Sequence, residues 1–461
     1  MKKDTKRKLI LAAPVLAASG PALKWLARKI INMPVKSMLT QPFDKNMWTL
    51  LASLQRAGMK DVIENSLRAE SGDRIERPFG TFKPMPSLDS LMFNFAQLST
   101  FPTPEEVPVD MNTVIGRHSA RPLRLKLPVM ISGIAFGKAL PASIKLAMAK
   151  ASSLIGTAYC TGEGGMLEGD RRAAKQLILQ YNRGFWNKTD ADLKRADAIE
   201  YQFGQGATGG TSHRMKPKDL DRGLRKRFNI KKGVPLVAHA RIPGIDSEED
   251  LINTTRRIRE ITGGVPIGAK IAAGDGIEGD IDVCLRSGLD YIAIDGAEAA
   301  TRGALPVLLD DFGLPTITAL TRAVNHLERI GARDSIDIII SGGLMTPGDF
   351  LKAIALGADA VYIGSAALFV AVHEFMLRAL PFSPPGEATW YNGKYSKGYN
   401  SQKGALLLFK FLCSCQKEME TAVRAMGKIS IHQVSKDDLV SIDAYVTEIT
   451  GIKPDYAPRK R

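Results

Sequence analysis

Short apolar runs, each closed by glycine or serine, recur along the middle of this chain and alternate with segments whose apolar positions fall at helical spacing. The clearest pair are residues 337–340 and 360–363, rich in Ile and Val and too short for helices. Residues 347–357 between them carry apolar side chains with a helical period, so the stretch predicts a parallel βαβ unit. Its strands end in Ser341, Gly342 and Gly343 and in Gly364 and Ser365, turns that let backbone N–H groups converge on a ligand. Upstream, strands are predicted over residues 127–132, 156–160, 198–203, 265–271, 291–295 and 316–320, with a helix over 142–152 after the first. Alternation of this kind predicts a parallel sheet, and eight units predict closure. The expected fold is therefore α/β, a TIM-type (β/α)8 barrel, whose phosphate sites lie in the loops after the seventh and eighth strands.

The flanks divide the chain further. Residues 1–32 form a basic, hydrophobic N-terminal segment, 33–124 a lead-in packed on the barrel, 125–380 the barrel and 381–461 a helical extension. Within the lead-in, residues 47–57 and 88–98 have helical patterning, and Pro-rich joints fall at 78–86 and 101–108. A long, basic, irregular excursion, residues 205–251, follows the third predicted strand, and loops of that length usually carry function or act as lids. A helix over 368–380 and another over 402–426 follow the last strand. The second carries Leu406, Leu407, Phe409, Phe411 and Leu412, expected to pack across the barrel.

Composition is that of an ordinary globular enzyme, with 461 residues, 44% hydrophobic and 24% charged. The net charge of +15 attracts anions, whether acidic lipid, nucleic acid or phosphorylated ligands, and does not choose among them; nucleic acid is not expected among the partners. Four cysteines, scattered apart from Cys413 and Cys415, which are too close in sequence for a usual structural bridge, predict a reducing, cytoplasmic compartment. Lys2, Lys3, Lys6, Arg7 and Lys8 precede an apolar stretch at 9–23 broken by Pro14 and Pro21, with Lys24, Arg28 and Lys29 after it. That pattern is short for a membrane span and suits a helix lying on the inner face of the cell membrane.

In a barrel the candidates for chemistry are the residues at the carboxyl ends of the strands. Here Ser132 and Gly133, Gly162 to Gly165, Gly204 to Gly206, Asp295 and Gly296, Ser341 to Gly343, and Gly364 and Ser365 present small residues and backbone donors around most of the mouth. A flat, phosphate-bearing cofactor needs such close backbone approach, and flavin mononucleotide (FMN) is the commonest barrel example. Lys270 is placed to stabilise the anionic edge of a reduced flavin, and Gln180 to hydrogen-bond the same edge. Glu163, flanked by glycines, is a candidate acid or substrate-orienting group or a helix cap. Gln205, His213 and Arg214 in the long excursion could face a carboxylate, and Asp295 either orients Lys270 or helps close the barrel. No metal site is expected, because His118, His213, His239, His326, His373 and His432 show no paired spacing.

The strand ends MISGIAFGKAL, TAYCTGEGGM, AIEYQFGQGA, GAKIAAG, AIDGAEAATRGALP and IIISGGLMTPGDFLKAIALGADAVYIGSAAL resemble, in order, the FMN-binding synthase domain of the glutamate synthase large subunit. The likeness covers about residues 86–428. It implies an FMN barrel that reduces the imine formed from 2-oxoglutarate and ammonia, with hydride leaving the flavin. By position, Gly342, Gly343, Gly364 and Ser365 would hold the FMN phosphate, Ser132 and Gly133 the flavin face, and Gln180 and Lys270 its polar edge. The departures are specific. No counterpart of the family's glutaminase domain is expected, and FVAVHEFMLRALPFSPP stands where the family has an iron–sulfur cysteine cluster. Thr208 occupies a lysine position, and DGAEAATRGA introduces Glu298 and Arg302. The expectation is a stand-alone FMN oxidoreductase acting on an amino or imino acid or related carboxylate, fed by a separate electron-donor protein or a pyridine nucleotide. The alternatives are an FMN dehydrogenase passing electrons to a membrane quinone, and a non-catalytic FMN-binding relative.

Overall fold

A computed structural model describes residue 20 and residues 24–46 and 48–458. The chain separates into two compact units, residues 1–75 and 76–461. In the first, residues 24–40 are helical, followed by helices Trp48–Ala57 and Met59–Ser71. Most of the apolar run at 9–23 lies outside the described residues. Among the described residues, no helix is long and apolar enough to cross a membrane.

The second unit is built on a closed barrel of eight parallel strands. In chain order they are β1 (Val129–Ile131), β2 (Tyr159–Cys160), β3 (Leu177–Tyr181), β4 (Ala198–Gln202), β5 (Ile267–Ala272), β6 (Tyr291–Asp295), β7 (Asp337–Ser341) and β8 (Ala360–Ile363). Each strand pairs with its neighbours in sequence, and β8 closes on β1 through Val361 opposite Val129. Because side chains alternate along a strand, two apolar sets form. Val129, Ile131, Leu177, Leu179, Ile199 and Tyr201 face the surrounding helices. Met130, Ile178, Ala198, Tyr291, Ala293, Ile339, Ala360 and Tyr362 fill the interior. The hairpin Thr113–Ile115 and Leu123–Leu125 joins that inner set through Ile115, Leu123 and Leu125.

The inward positions change character toward the carboxyl ends. Along β3 the interior passes from Ile178 to Gln180, along β4 from Ala198 to Glu200 and Gln202, along β5 from Gly268 to Lys270, and along β6 from Ala293 to Asp295. All of these polar side chains are buried. A polar layer inside a barrel is costly unless its members satisfy one another, and it marks the end where chemistry is placed.

Three expectations are corrected. Residues 316–320 are not a strand but the start of helix Thr316–Arg329. The β-branched start TIT is misleading, whereas Ile317, Leu320, Val324 and Leu327 keep helical spacing and are buried. The strand count is completed instead by β3, so Lys270 lies on the fifth strand and the long excursion follows the fourth. Residues 88–98 do not form a helix. They make one 3-10 turn, Leu88–Ser90, and a strand, Leu91–Phe93, which pairs with Leu439–Ser441 near the other end of the chain. Tertiary pairing overrides local patterning there. The excursion contains a hairpin, His213–Met215 with Leu236–Ala238, and a helix, Arg222–Phe228, closed over a small core of Leu220, Leu224, Phe228 and Leu236. Helix Ser401–Ala425 packs on Ala142–Ile155, burying Leu408, Leu412 and Met419.

Ile339 is fully buried in the barrel interior and Leu98 is 85% exposed. Ile339→Ala should therefore cost about 2–5 kcal/mol of unfolding free energy, and Leu98→Ala at most about 0.5 kcal/mol. Denaturant titration checks this, and equal effects would contradict the interior assignment.

Candidate functional site

At the carboxyl end of the barrel a buried network is built around two charges. Lys270 Nζ lies 3.0 Å from Asp295 Oδ1 and 3.5 Å from Ser132 Oγ, and sits 5.3 Å from the centre of the Tyr362 ring. Burial pushes the lysine toward neutrality, but Asp295 and Glu200 outweigh it and hold the ammonium charged, with its pKa above the ordinary value. Glu200 accepts from Gln180 Nε2 at 2.9 Å and from Tyr362 Oη at 2.9 Å. Burial keeps its carboxyl above the usual range, against the pull of Lys270 and these two donors. Asp295 also accepts from the backbone N–H of Gly206 at 3.1 Å, so the ion pair positions the loop after β4.

Above Lys270 opens a cavity of about 410 Å³. On one side are Ser341, Gly342 and Gly343 after β7, and Gly364 and Ser365 after β8. Gly342 has φ +127°, and a Cβ there would lie 2.3 Å from Thr316 Oγ1, while Gly343 has φ +70°. Both positions need glycine. At Gly364 a Cβ would meet nothing nearer than Ser132 Cβ at 3.9 Å. A side chain at Gly364 would thus enter the cavity rather than clash with packed neighbours. Helix Ser365–Val372 starts at this glycine with no side-chain cap, so its first-turn N–H groups remain available to an anion. Glu298 also lines the cavity, but its carboxylate accepts from Thr316 N at 2.8 Å and Thr316 Oγ1 at 2.6 Å, capping another helix. The wall also includes Phe79, Thr81, Lys83, Met85 and Ser87. That strap is held by Phe79 N donating to Thr301 O and by Phe79 packing on Phe369 and Trp390, at 5.3 and 5.6 Å between ring centres.

A second polar cluster lies across β2, β3 and β4. His213 Nε2 is 2.8 Å from Glu163 Oε1, and Gln202 Nε2 reaches Glu163 Oε2 at 3.4 Å and Gln205 Oε1 at 3.2 Å. Gln205 lines the large cavity, so one amide links Glu163 to it. Burial raises the Glu163 carboxyl, yet His213, Lys138 and Arg183 together bring it down to about 2. Glu163 is therefore an anion, suited to orienting a cationic or N–H group rather than donating a proton at neutral pH.

The structure brings Ser132, Lys270, Gln205, Asp295, Ser341, Gly342, Gly343, Gly364 and Ser365 onto one cavity. Gln180 is not on its wall, since its amide is given to Glu200 inside the barrel. Gly133 is not on the wall either. A Cβ there would lie 2.8 Å from Gly162 Cα, so the glycine serves the crossing of two loops. His213 joins Glu163, whereas Arg214 on the same strand is exposed. Glu200, Gln202, Tyr362 and the strap from Phe79 to Ser87 were missed. For the first two, the polar residues at alternate positions of AIEYQ were the available signal.

The model of the conserved region in glutamate synthase matches residues 76–427. The chain belongs to the glutamate synthase family. A glutamate synthase large subunit-like protein of Rhizobium meliloti strain 1021 is 32% identical over 387 residues, 79% of this chain and 87% of that protein. The archaeal-type glutamate synthase (NADPH) of Thermotoga neapolitana is 29% identical over 418 residues, 84% of this chain and 81% of that protein. Among solved structures, an active chimera of (S)-mandelate dehydrogenase is similar with a TM-score of 0.48 at 14% identity, over 77% of this chain and 88% of that one. The family match begins at residue 76, where the second compact unit also begins, and runs through the barrel into helix Ser401–Ala425.

The Glu163 and His213 pair carries a pH signature. A carboxyl held near 2 instead of the ordinary 4.5 contributes stability that is complete above about pH 4.5 and lost as the pH falls toward 2. In His213→Gln the carboxyl should return toward its ordinary value, so stability should fall at neutral pH, where the pair contributes fully, and the gap to the parent should close as the pH drops toward 2. Denaturant titrations of both proteins at neutral and acid pH, followed by circular dichroism, check this, and superimposable curves would show that the pair is not formed.

Proposed function

We propose that the protein is an FMN-dependent oxidoreductase that reduces an imino or oxo acid, or oxidises an amino acid, with electrons exchanged through a separate donor. The observation that carries this is one cavity lined by two glycine turns, an uncapped helix start and a charged lysine. The residues fit the cofactor. Gly342, Gly343, Gly364 and Ser365 would hold its phosphate, and the open space at Gly364 is what a phosphate oxygen needs. Ser132 and Lys270 would face the polar edge of the ring, and the two carboxylates on the wall, Asp295 and Glu298, are each already engaged. When bound, FMN supplies hydride chemistry. The protein's part is to favour the reduced, anionic form through Lys270, to exclude water under the strap at Phe79, and to orient substrate near Gln205 and Glu163.

Membership of the glutamate synthase family supports an amino, imino or oxo acid as substrate, and the name of the Thermotoga relative supports a pyridine nucleotide at the start of the electron path. The exchanges at Thr208, Glu298 and Arg302 favour a carboxylate other than the family's own. Residues 24–40 expose Trp25, Leu26, Ile30 and Ile31 beside Lys24, Arg28, Lys29 and Lys36, which supports an address on an anionic membrane surface.

The purified protein should be yellow, with one FMN per chain and no iron or acid-labile sulfide. A colourless preparation or stoichiometric iron would overturn the reading. Lys270→Met should lower the flavin potential and slow turnover about 10- to 100-fold while weakening FMN binding less. Removing the cation and leaving Asp295 unpaired both oppose the anionic reduced form. An unchanged potential in a spectroelectrochemical titration would remove Lys270 from the role. Full-length protein should sediment with membranes and a form starting at Met33 should do so less, whereas equal distribution would defeat the membrane address.

A further inference from the structure

Unpartnered polar atoms gather around the loop after β4. Arg183 is fully buried, and its Nη1 donates to Thr211 O at 3.0 Å, but Nε and Nη2 have no partner. Gln202 Oε1, Thr208 Oγ1 and His213 Nδ1 are buried without partners in the same network. Hydrogen bonds join these residues in one chain. Arg183 binds Thr211 O, Thr211 Oγ1 donates to Thr208 O at 2.7 Å, Thr208 N to Gln205 O at 3.3 Å, and Gln205 Oε1 accepts from Gln202, which reaches Glu163 and so His213. Buried polar atoms are seldom left without partners, and so many in one network mark a polar ligand.

The chemistry of the orphaned atoms specifies that ligand. Nε and Nη2 are the two guanidinium nitrogens on one edge of the fork, the edge that grips a carboxylate with two parallel hydrogen bonds. Charge agrees. Arg183 and Lys138 both lie within electrostatic reach of Glu163, and both oxygens of that carboxylate are already engaged by His213 and Gln202. Glu76 also lies within electrostatic reach of Lys138, so the unmet group is the Arg183 fork. Gln202 turns its N–H group toward two acceptors, Glu163 and Gln205, so its free atom is an acceptor. His213 with Nε2–H on Glu163 likewise leaves Nδ1 as an acceptor. A ligand that offers a carboxylate to the arginine and an N–H to Gln202 or His213 has the α-carboxylate and nitrogen of an amino or imino acid. We infer that Arg183 anchors the α-carboxylate of the substrate, with Gln202 and His213 receiving its nitrogen. Thr211, whose carbonyl holds Arg183, and Thr208 lie on the loop that borders a cavity of about 330 Å³, which also touches Asp295.

The inference rests on the oxidoreductase reading, and the test separates the two. Protein as purified is titrated by calorimetry and by the flavin absorbance spectrum with a panel of α-amino and α-oxo acids, including L-glutamate and 2-oxoglutarate, and with 4-aminobutyrate, which lacks the α-carboxylate. At least one α-acid should bind saturably, and 4-aminobutyrate roughly 30-fold more weakly or not at all. Arg183→Gln should lose that preference, Arg183→Lys should recover part of it, and Arg256→Gln on the exposed face of helix Glu248–Thr262 should match the parent. The parent's own preference keeps the test informative if Arg183→Gln does not fold. Binding of 4-aminobutyrate as tight as that of the α-acids, no response to any α-acid, or a preference retained in Arg183→Gln overturns the assignment. Colourless protein that keeps the Arg183-dependent preference overturns the flavin reading and leaves the anchor standing.

Discussion

The buried ion pair between Lys270 and Asp295 is the contact on which the rest of the site depends. A lysine inside a barrel is strongly disfavoured as a charge unless an anion lies beside it, and removing one partner of such a pair costs more than the pair contributes. Asp295 supplies that anion from the neighbouring strand and uses its other oxygen to hold Gly206. One carboxylate thereby keeps the cation in place under the cavity and fixes the start of the loop that carries Thr208 and Thr211. Glu200 completes the arrangement from below, where Gln180 and Tyr362 occupy its oxygens. The polar layer is satisfied almost entirely from within, so its rigidity does not depend on a ligand.

The two ends of the mouth then differ in a useful way. The side formed by β7 and β8 is glycine backbone and a helix start, suited to a fixed, multiply charged phosphate. The side formed by β2, β3 and β4 is side chains, with Glu163 held anionic and Arg183 left with an open fork. A cofactor held by backbone and a substrate held by side chains is a division that lets substrate choice change by point substitution while the cofactor cradle stays intact. The changes at Thr208, Glu298 and Arg302 lie on or beside the loops after β4 and β6, and leave the glycines after β7 and β8 as the resemblance requires.

Much of this was legible in the sequence, because strand ends and glycine turns are local signals. Asp337–Ser341 and Ala360–Ile363 announce themselves by Ile and Val runs bounded by glycine. What escaped was non-local or ambiguous. Residues 177–181 are apolar for only three positions before Gln180 and Tyr181, so β3 was missed. Thr316, Ile317 and Thr318 have strand-like side chains on a helix whose N-terminus is capped by Glu298 from a distant loop. The pairing of Leu91–Phe93 with Leu439–Ser441, and of Glu200 with Gln180 and Tyr362, joins residues far apart in the chain, and no window of sequence displays it. Gln180 was given to the flavin edge because its position after an apolar run says nothing of the glutamate that claims it.

The central claim is that Gly342, Gly343, Gly364 and Ser365 form a phosphate cradle. It is tested most directly by comparing the affinity of flavin-stripped protein for FMN with that for riboflavin, which shares the ring system and lacks the phosphate. The account predicts that FMN binds at least about a hundredfold tighter, and that Gly364→Asp, which puts a carboxylate into the cradle, removes the difference while leaving riboflavin binding nearly unchanged. Equal affinities for the two flavins in the unaltered protein, or a preference for FMN that survives Gly364→Asp, would contradict it.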